Sequence, residues 1–276
     1  MTKLKHTLKN DLLFKMTFTQ HPELLQRLVS ELLDIQYDNM QDFRITSPEL
    51  TPEFIGEKFC KLDISMMVNN QQVNLEVQVN DEGNFPERSL YYWARMFSSA
   101  LNDGEDYSKL PRTITINILG FKLFSNPKKF HHEFQILEVA THEPFTDKLS
   151  KHFYELDKLP PLESMNNKKE FWLKLFHAKT EEDLVNLSAL EVPVMNEAVA
   201  AYKRVAASPE FKEYERIRSK ARHDEAQALT NARLQEREIW QAEKEQLQNE
   251  VEERDAKIAD KDARIALLEA QLKSRP

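Results

Sequence analysis

The chain has 276 residues, a net charge of −8 and a single cysteine, Cys60. A lone cysteine excludes a disulfide framework and a cysteine-based zinc site, and no run of about eighteen apolar residues is present to span a membrane. The N-terminal residues lack an apolar signal-peptide core, so we expect a cytoplasmic protein. The acidic balance does not favour nucleic-acid binding, although a local cluster of cations can still form such a surface.

A first helix is predicted from about residue 10 to residue 34, with Pro22 as the point of a kink. Asn10 is a candidate N-cap. Asp11 beside it is either a partner of the helix dipole or an extra acid for a metal site. The apolar residues of this segment recur at helical spacing: Leu12, Leu13, Phe14, Phe18, Leu24, Leu25, Leu28, Val29, Leu32 and Leu33.

Two neighbouring strands are predicted next, because apolar residues alternate with polar ones up to Val68 and again from Val73 to Val79. Residues 69–72 supply the turn between them. Residues 41–50 are a candidate for an earlier strand.

Each strand of this hairpin carries one acid on its polar face, Asp63 and Glu76. With pairing symmetric about the turn, Ser65 lies opposite Glu76, and the two acids are diagonal neighbours with Cβ atoms about 5 to 8 Å apart. One Mg²⁺ could bridge them, and Mg²⁺ can both activate a water and stabilise a leaving oxygen in phosphodiester cleavage. The alternative interpretation is a solvated hairpin whose polar face carries two acids.

The middle of the chain predicts an alternation of strands and helices. A helix is expected over residues 86–101 and a buried strand over residues 113–119, which suggests a strand-helix-strand crossover. Edge strands are candidates at residues 134–137 and 153–156, and residues 165–206 are expected to be helical. On the first of these helices, Arg88, Tyr92 and Arg95 share one face. That stripe could contact phosphate, or it could be an ordinary solvated face whose charges pair with acids.

The last 67 residues differ in composition, because no glycine or proline occurs between residues 210 and 275. Val251, Ile258, Ile265 and Leu272 repeat every seventh residue, the pattern of a coiled coil. Trp240, Leu247 and Leu268 occupy the companion heptad position, which Arg254 and Lys261 interrupt. The alternatives are therefore a weak coiled coil, with a parallel homodimer as its simplest form, and a solvated single helix.

A set of short motifs, in this order and spacing, resembles the recombination-promoting nuclease/transposase (Rpn) family of the PD-(D/E)xK nuclease superfamily. The resemblance covers about residues 8 to 180. The motifs are Asn10-Asp-Leu-Leu-Phe-Lys15 with Phe18, then Asp63, Leu75-Glu-Val-Gln78, Phe85, Arg88, Tyr91-Tyr92, Gly104, Tyr107, Pro111, Ile114-Thr-Ile-Asn-Ile-Leu119, Phe121, Tyr154-Glu-Leu-Asp-Lys158 and Trp172.

This resemblance implies roles for individual residues. Asp63 and Glu76 would hold Mg²⁺, with Mn²⁺ as an alternative, helped by the Val77 carbonyl and by Asp11. Gln78 stands where the superfamily more often has a catalytic lysine. A glutamine amide donates only a neutral hydrogen bond, so another cation must supply positive charge.

The candidates for that cation are Lys15 and either Arg88 or Arg95, and both arginines are candidates for contacts to DNA. The Glu155 and Lys158 match has no assigned mechanism and is interpreted as a structural ion pair.

We therefore expect an α/β, restriction-endonuclease-like mixed sheet flanked by helices in residues 1–205, followed by a long helical or coiled-coil tail in residues 210–276. The expected function is Mg²⁺-dependent DNA endonuclease activity associated with recombination or transposition. The rival expectation is a catalytically weak DNA-binding or interaction protein that uses the nuclease fold as a scaffold and the coiled coil for assembly.

Overall fold

The computed structural model describes residues 2–46, 64–102 and 104–273, with side chains described as far as residue 266. The helices are α1 (Asp11–Gln20), α2 (Pro22–Leu32), α3 (Phe85–Ser98), α4 (Lys168–His177), α5 (Glu181–Ser188), α6 (Pro193–Ala207) and α7 (Pro209–Lys273). The strands are β1 (Phe43–Ile45), β2 (Ile64–Val68), β3 (Gln71–Gln78), β4 (Thr113–Leu119), β5 (His131–Leu137) and β6 (Pro144–Glu155).

The six strands form one mixed sheet in the order β1-β2-β3-β4-β6-β5. The central strands β3, β4 and β6 are parallel, and each outer pairing is antiparallel. The sheet and its helices are consistent with a restriction-endonuclease-like α/β fold, as expected. Of the two edge strands predicted near residues 134–137 and 153–156, the first is confirmed and the second is wrong. β5 is an edge strand, but β6 lies inside the sheet and is much longer than the predicted segment.

The first helical segment is two helices rather than one kinked helix. The side chain of Asn10 accepts a hydrogen bond from the Leu13 amide at 3.0 Å, which confirms it as the N-cap of α1. His21 separates the helices, and Pro22 begins α2 at the first helical position, where its missing amide hydrogen costs nothing.

The sheet has two different faces. One face is apolar: Val73, Leu75 and Val77 of β3 belong to the main hydrophobic core, together with Ile114, Ile116 and Ile118 of β4. Buried residues of α1, α2, α4, α5 and α6 complete this core. Because side chains alternate along a strand, the residues between these six lie on the opposite face.

The β2–β3 hairpin has a different register from the predicted one. Val68 pairs with Gln71 and Ser65 pairs with Asn74, so Ser65 does not lie opposite Glu76. The turn contains only two residues, Asn69 and Asn70, with φ of 48° and 66°. Positive φ at both positions is the combination that two-residue hairpin turns require, and asparagine tolerates it.

The chain divides into two compact units, Met1–Glu213 and Tyr214–Pro276. The second unit consists of helix α7 after Glu213. From residue 219 to residue 266 its side chains are exposed, including Trp240, Leu247, Val251, Ile258 and Ile265. Within the described segments, no helix has an apolar stretch of the length needed to cross a membrane.

Candidate active site on the polar face of the sheet

The face of the sheet opposite the main core carries buried polar side chains near its centre. Neighbouring parallel strands place three rows of residues across it: Asn74, Thr115 and Lys151; Glu76, Asn117 and Phe153; and Gln78, Leu119 and Glu155. Most of these polar residues are buried, Glu76 to 7% exposure and Asn117 to 1%. A carboxylate buried among polar groups on a central strand is a chemically distinctive feature, because burial of charge is costly unless it is compensated.

Helix α3 covers this polar face. Near the first end of α3, the ring of Phe85 meets that of Phe153 edge-on, with centroids 6.3 Å apart. About two turns later, the indole Nε1 of Trp93 donates a 2.9 Å hydrogen bond to the carbonyl of Thr113. The helix therefore runs from the carboxyl ends of the parallel strands back toward their amino ends. Glu76 and its row face this layer.

Two hydrogen bonds fix the amides beside Glu76. The Ser65 hydroxyl donates to Oδ1 of Asn74 at 3.2 Å, and Nδ2 of Asn117 donates to the carbonyl of His152 at 3.0 Å. Asp63, the second predicted metal ligand, lies outside the described residues. The arrangement of the two acids therefore stays a prediction.

Lys151 is a site residue that the sequence reasoning missed. It lies on β6 in the row that also contains Asn74 and Thr115, and only 6% of its surface is exposed. Burial lowers the pKa of Lys151 to about 8, and attraction to the Glu76 carboxylate partly opposes that shift. Its Nζ atom has no hydrogen-bond partner among the described residues, and the same holds for the Thr115 hydroxyl.

Gln78 is at the end of β3, where its Nε2 donates to the carbonyl of Asn80 at 3.2 Å. The amide of Gly120 donates to the Gln78 carbonyl at 2.8 Å. A Cβ atom at position 120 would lie 3.0 Å from the Val79 carbonyl oxygen, which explains a glycine at this crossing. The backbone around Gln78 is thus fixed, and its role in placing water stays a prediction.

The two predicted DNA-contacting arginines are in different environments. Arg88 is partly buried; its Nη1 is 2.5 Å from Oε2 of Glu82, and its guanidinium lies over the Phe85 ring at 5.4 Å. Arg95 is exposed and lies 6.0 Å from the ring of Tyr91. The ion pair with Glu82 is the feature that the alternative interpretation of this stripe predicted.

The remaining predicted site residues are distributed over other elements. Asp11 and Lys15 are partly buried and one turn apart on α1, whose buried residues belong to the core on the apolar face. Val77 is buried in β3 between Glu76 and Gln78. The catalytic and metal-binding roles of these three residues stay predictions.

Glu155 and Lys158 form the structural ion pair that was predicted. Nζ of Lys158 is 2.6 Å from Oε2 of Glu155, and both side chains are almost fully buried. The other carboxylate oxygen of Glu155 accepts hydrogen bonds from the amides of Leu123 and Phe124. The pair therefore fixes the loop after β4 against the end of the sheet.

A family profile described as PD-(D/E)XK nuclease family transposase matches residues 8–232. The chain belongs to this family. The resemblance inferred from the motifs is thereby confirmed. No curated protein and no solved structure gave a significant match. Membership supports a nuclease-type function associated with recombination or transposition, and it suggests DNA as the partner.

PD-(D/E)XK nucleases generally use divalent metal ions, and the described residues are compatible with part of such a site. The Glu76 carboxylate and the Val77 carbonyl are oxygen ligands, which hard cations such as Mg²⁺ prefer. Among the described residues, no group of three or more His, Cys, Asp or Glu side chains is placed to hold a metal. Asp63 lies outside the described residues, and its part in a ligand set stays a prediction.

Proposed function

We propose that the protein is a divalent-metal-dependent DNA endonuclease whose active centre lies on the polar face of the sheet. The observation that carries the proposal is the buried carboxylate of Glu76 on the central strand β3, in a chain that belongs to a nuclease family. Asp63 and Glu76 would hold Mg²⁺ with the Val77 carbonyl. When bound, the metal would activate a water and stabilise charge on the leaving oxygen.

The chain's own groups have separate tasks in this proposal. The Glu76 carboxylate binds the cation, and the amides of Asn74 and Asn117 keep the surrounding face polar. Helix α3 limits access of bulk water, which strengthens electrostatic interactions beneath it. Arg88 is proposed to contact the DNA backbone, after exchanging Glu82 for a phosphate.

The test is cleavage of supercoiled plasmid with Mg²⁺, Mn²⁺ or EDTA by the parent and by two matched variants. Glu76→Gln keeps the size of the side chain but removes its charge, so nicking should fall by about 100-fold or more. Glu87→Gln changes an exposed glutamate on α3 and should cleave like the parent. Asp63→Asn should behave like Glu76→Gln.

Circular dichroism and thermal melting show whether each variant folds. Parental nicking by folded Glu76→Gln would remove Glu76 from the mechanism. Absence of metal-dependent nicking by the parent, with DNA binding retained, would favour the rival function, a binding protein built on a nuclease scaffold.

We further propose that α7 joins two copies of the chain. Trp240, Leu247, Val251, Ile258 and Ile265 are each more than half exposed on this helix, although a heptad pattern predicts their burial. A parallel two-stranded coiled coil would bury them.

A further inference from the structure

We propose that the ammonium group of Lys151 supplies the positive charge at the reacting phosphate that Gln78 cannot supply. This inference rests on the proposed function, since it adds a catalytic residue to the same site. Lys151 belongs to β6, two strands away from Glu76, and neither spacing nor motif connects the two residues in the sequence.

The geometry places the Lys151 ammonium beside the row of Glu76. The Cα of Lys151 is in register with Thr115 and, through it, with Asn74. Its side chain extends along the strand, because Nζ lies 5.7 Å from the centroid of the Phe153 ring. Phe153 shares its row with Asn117 and Glu76. The four-carbon stem of lysine thus carries the charge toward the acid.

The environment of this ammonium fits a group that acts on a ligand. A buried charge is stabilised when protein groups donate or accept hydrogen bonds to it, and an unpartnered one calls for a functional explanation. Nζ of Lys151 has no such partner among the described residues, and neither has the neighbouring Thr115 hydroxyl. Both groups lie on the face that carries Glu76.

Three other described cations are less suited to supply positive charge at the phosphate. Arg88 forms a 2.5 Å ion pair with Glu82, and Arg95 is exposed on α3. Nζ of Lys158 already donates hydrogen bonds to Glu155 and to the carbonyl of Phe124. Among the described residues, the Lys151 ammonium is buried and has no hydrogen-bond partner, and the Glu76 carboxylate attracts its charge.

In the proposed step, the Lys151 ammonium donates a hydrogen bond to a non-bridging phosphate oxygen, whose negative charge grows as the water attacks. The water oxygen forms a bond to phosphorus and one bridging P–O bond breaks. The water loses a proton to solvent, and the leaving oxygen takes one from solvent. Lys151 keeps its proton throughout, and the reaction consumes one water.

The experiment compares Lys151→Met, Lys151→Gln and Lys151→Arg with a matched control, Lys148→Met. Lys148 is on the same strand, three residues earlier, and its Nζ donates to the Leu110 carbonyl at 2.7 Å. Plasmid nicking with Mg²⁺ gives kcat and KM. Binding of a labelled duplex with Ca²⁺ in place of Mg²⁺ gives affinity without cleavage, and thermal melting reports the fold.

We expect kcat of Lys151→Met and Lys151→Gln to fall by about 100-fold or more, with KM and Ca²⁺-supported binding within about threefold of the parent. Lys151→Arg should be intermediate, and Lys148→Met should match the parent. Adding Gln78→Lys to Lys151→Met should restore at least about tenfold of the lost rate, because it returns a cation to the polar face, in the row on the other side of Glu76.

Near-parental kcat in either folded neutral variant would overturn the proposal. So would loss of cooperative melting in both neutral variants, because the fold itself would then depend on the charge. Failure of the proposed function gives a different result, since the parent would not nick DNA at all. If the parent nicks DNA and the Lys151→Met variant is equally active, only the role of Lys151 is excluded.

Discussion

Two buried lysines, Lys151 on β6 and Lys158 just after this strand, have opposite surroundings. Lys158 donates to Glu155 and to the Phe124 carbonyl, each at 2.6 Å, so its charge and its hydrogens are satisfied. Lys151 has no hydrogen-bond partner among the described residues. A buried pair that fixes a loop and a buried amine without a partner call for different explanations, structural for the first and functional for the second.

His131 provides a residue-scale test of stability. Its Nε2 is 3.1 Å from Nδ1 of His152, and its ring stacks on Tyr154 at 4.3 Å. Burial, followed by repulsion from His152 and Lys169, lowers the pKa of His131 to about 4, while Asp34 and Glu133 oppose the shift. Burial also lowers the pKa of His152.

A lowered histidine pKa means that the unfolded chain binds more protons than the folded one between pH 4 and pH 6.5. The free energy of unfolding should therefore fall as pH drops through this range, by about 1 to 2 kcal/mol for a partly exposed group. In His131→Gln the decline should be shallower, while His223→Gln, an exposed control on α7, should follow the parent. Urea unfolding at pH 7, 6, 5 and 4.5 measures this; parallel curves for all three proteins would contradict it.

The sequence predicted Glu76 but not Lys151, for a physical reason. Around Glu76 the apolar residues Val73, Leu75 and Val77 alternate strictly, so the polar face is visible in the sequence. Lys151 precedes the segment that was interpreted as a strand. It lies in the buried half of β6, but residues 150 to 152 are all polar and show no apolar alternation. Lys151 lies near Glu76 only through the pairing of β3 with β4 and of β4 with β6, which the sequence does not reveal.

At the scale of elements, the predictions were most accurate where local signals bound a segment. β4 was predicted at its observed limits because Pro111 and Gly120 enclose an apolar run. The hairpin register was wrong because four polar residues, 69 to 72, could all belong to the turn. Two asparagines in the left-handed region suffice to reverse the chain, so β3 begins two residues earlier than predicted and the pairing moves by two residues.

The two turn asparagines should differ in their contribution to stability. The Asn69 side chain accepts hydrogen bonds from the amides of Gln41 and Asp42 and donates to the carbonyl of Asn39 at 2.7 Å. Glycine accommodates positive φ at both positions. Asn69→Gly should therefore lose about 1 to 2 kcal/mol of unfolding free energy, whereas Asn70→Gly should stay within about 0.5 kcal/mol of the parent.

Urea unfolding of the two variants compares these values directly, since each substitution changes the backbone in the same way. Equal losses in both would show that the contacts of Asn69 with the segment before β1 do not stabilise the hairpin.

At the scale of the whole molecule, the stability of the first unit depends on where helix α7 is truncated. Phe211 is fully buried in the main core and meets the ring of His6 edge-on at 5.1 Å, although it belongs to α7. Cutting after Ala207 removes this ring and should destabilise the first unit by about 3 to 5 kcal/mol. A chain ending at Glu213 keeps it. We expect the longer fragment to melt near the parent and the shorter one well below it.

Association is the second property of the same truncation series. By light scattering, the full chain should have the mass of a dimer, and the fragment ending at Glu213 that of a monomer. Ile258→Asp/Ile265→Asp should dissociate the full chain, while Ala259→Asp/Ala266→Asp adds the same charges one residue outside the heptad stripe and should not. Equal masses for all four proteins would exclude the stripe as an interface.

The buried groups of Lys151 and Thr115, which have no hydrogen-bond partner in the part of the chain that the structure describes, also have an evolutionary consequence. Apolar residues of similar size at these positions would cost the fold little, so only selection for chemistry keeps polar ones there if Lys151 acts as proposed. A gene copy released from that selection would drift toward an apolar residue at position 151 while its product still folded. In related chains, a lysine at this position would then indicate an active enzyme, and an apolar residue would indicate an inactive protein that keeps the fold.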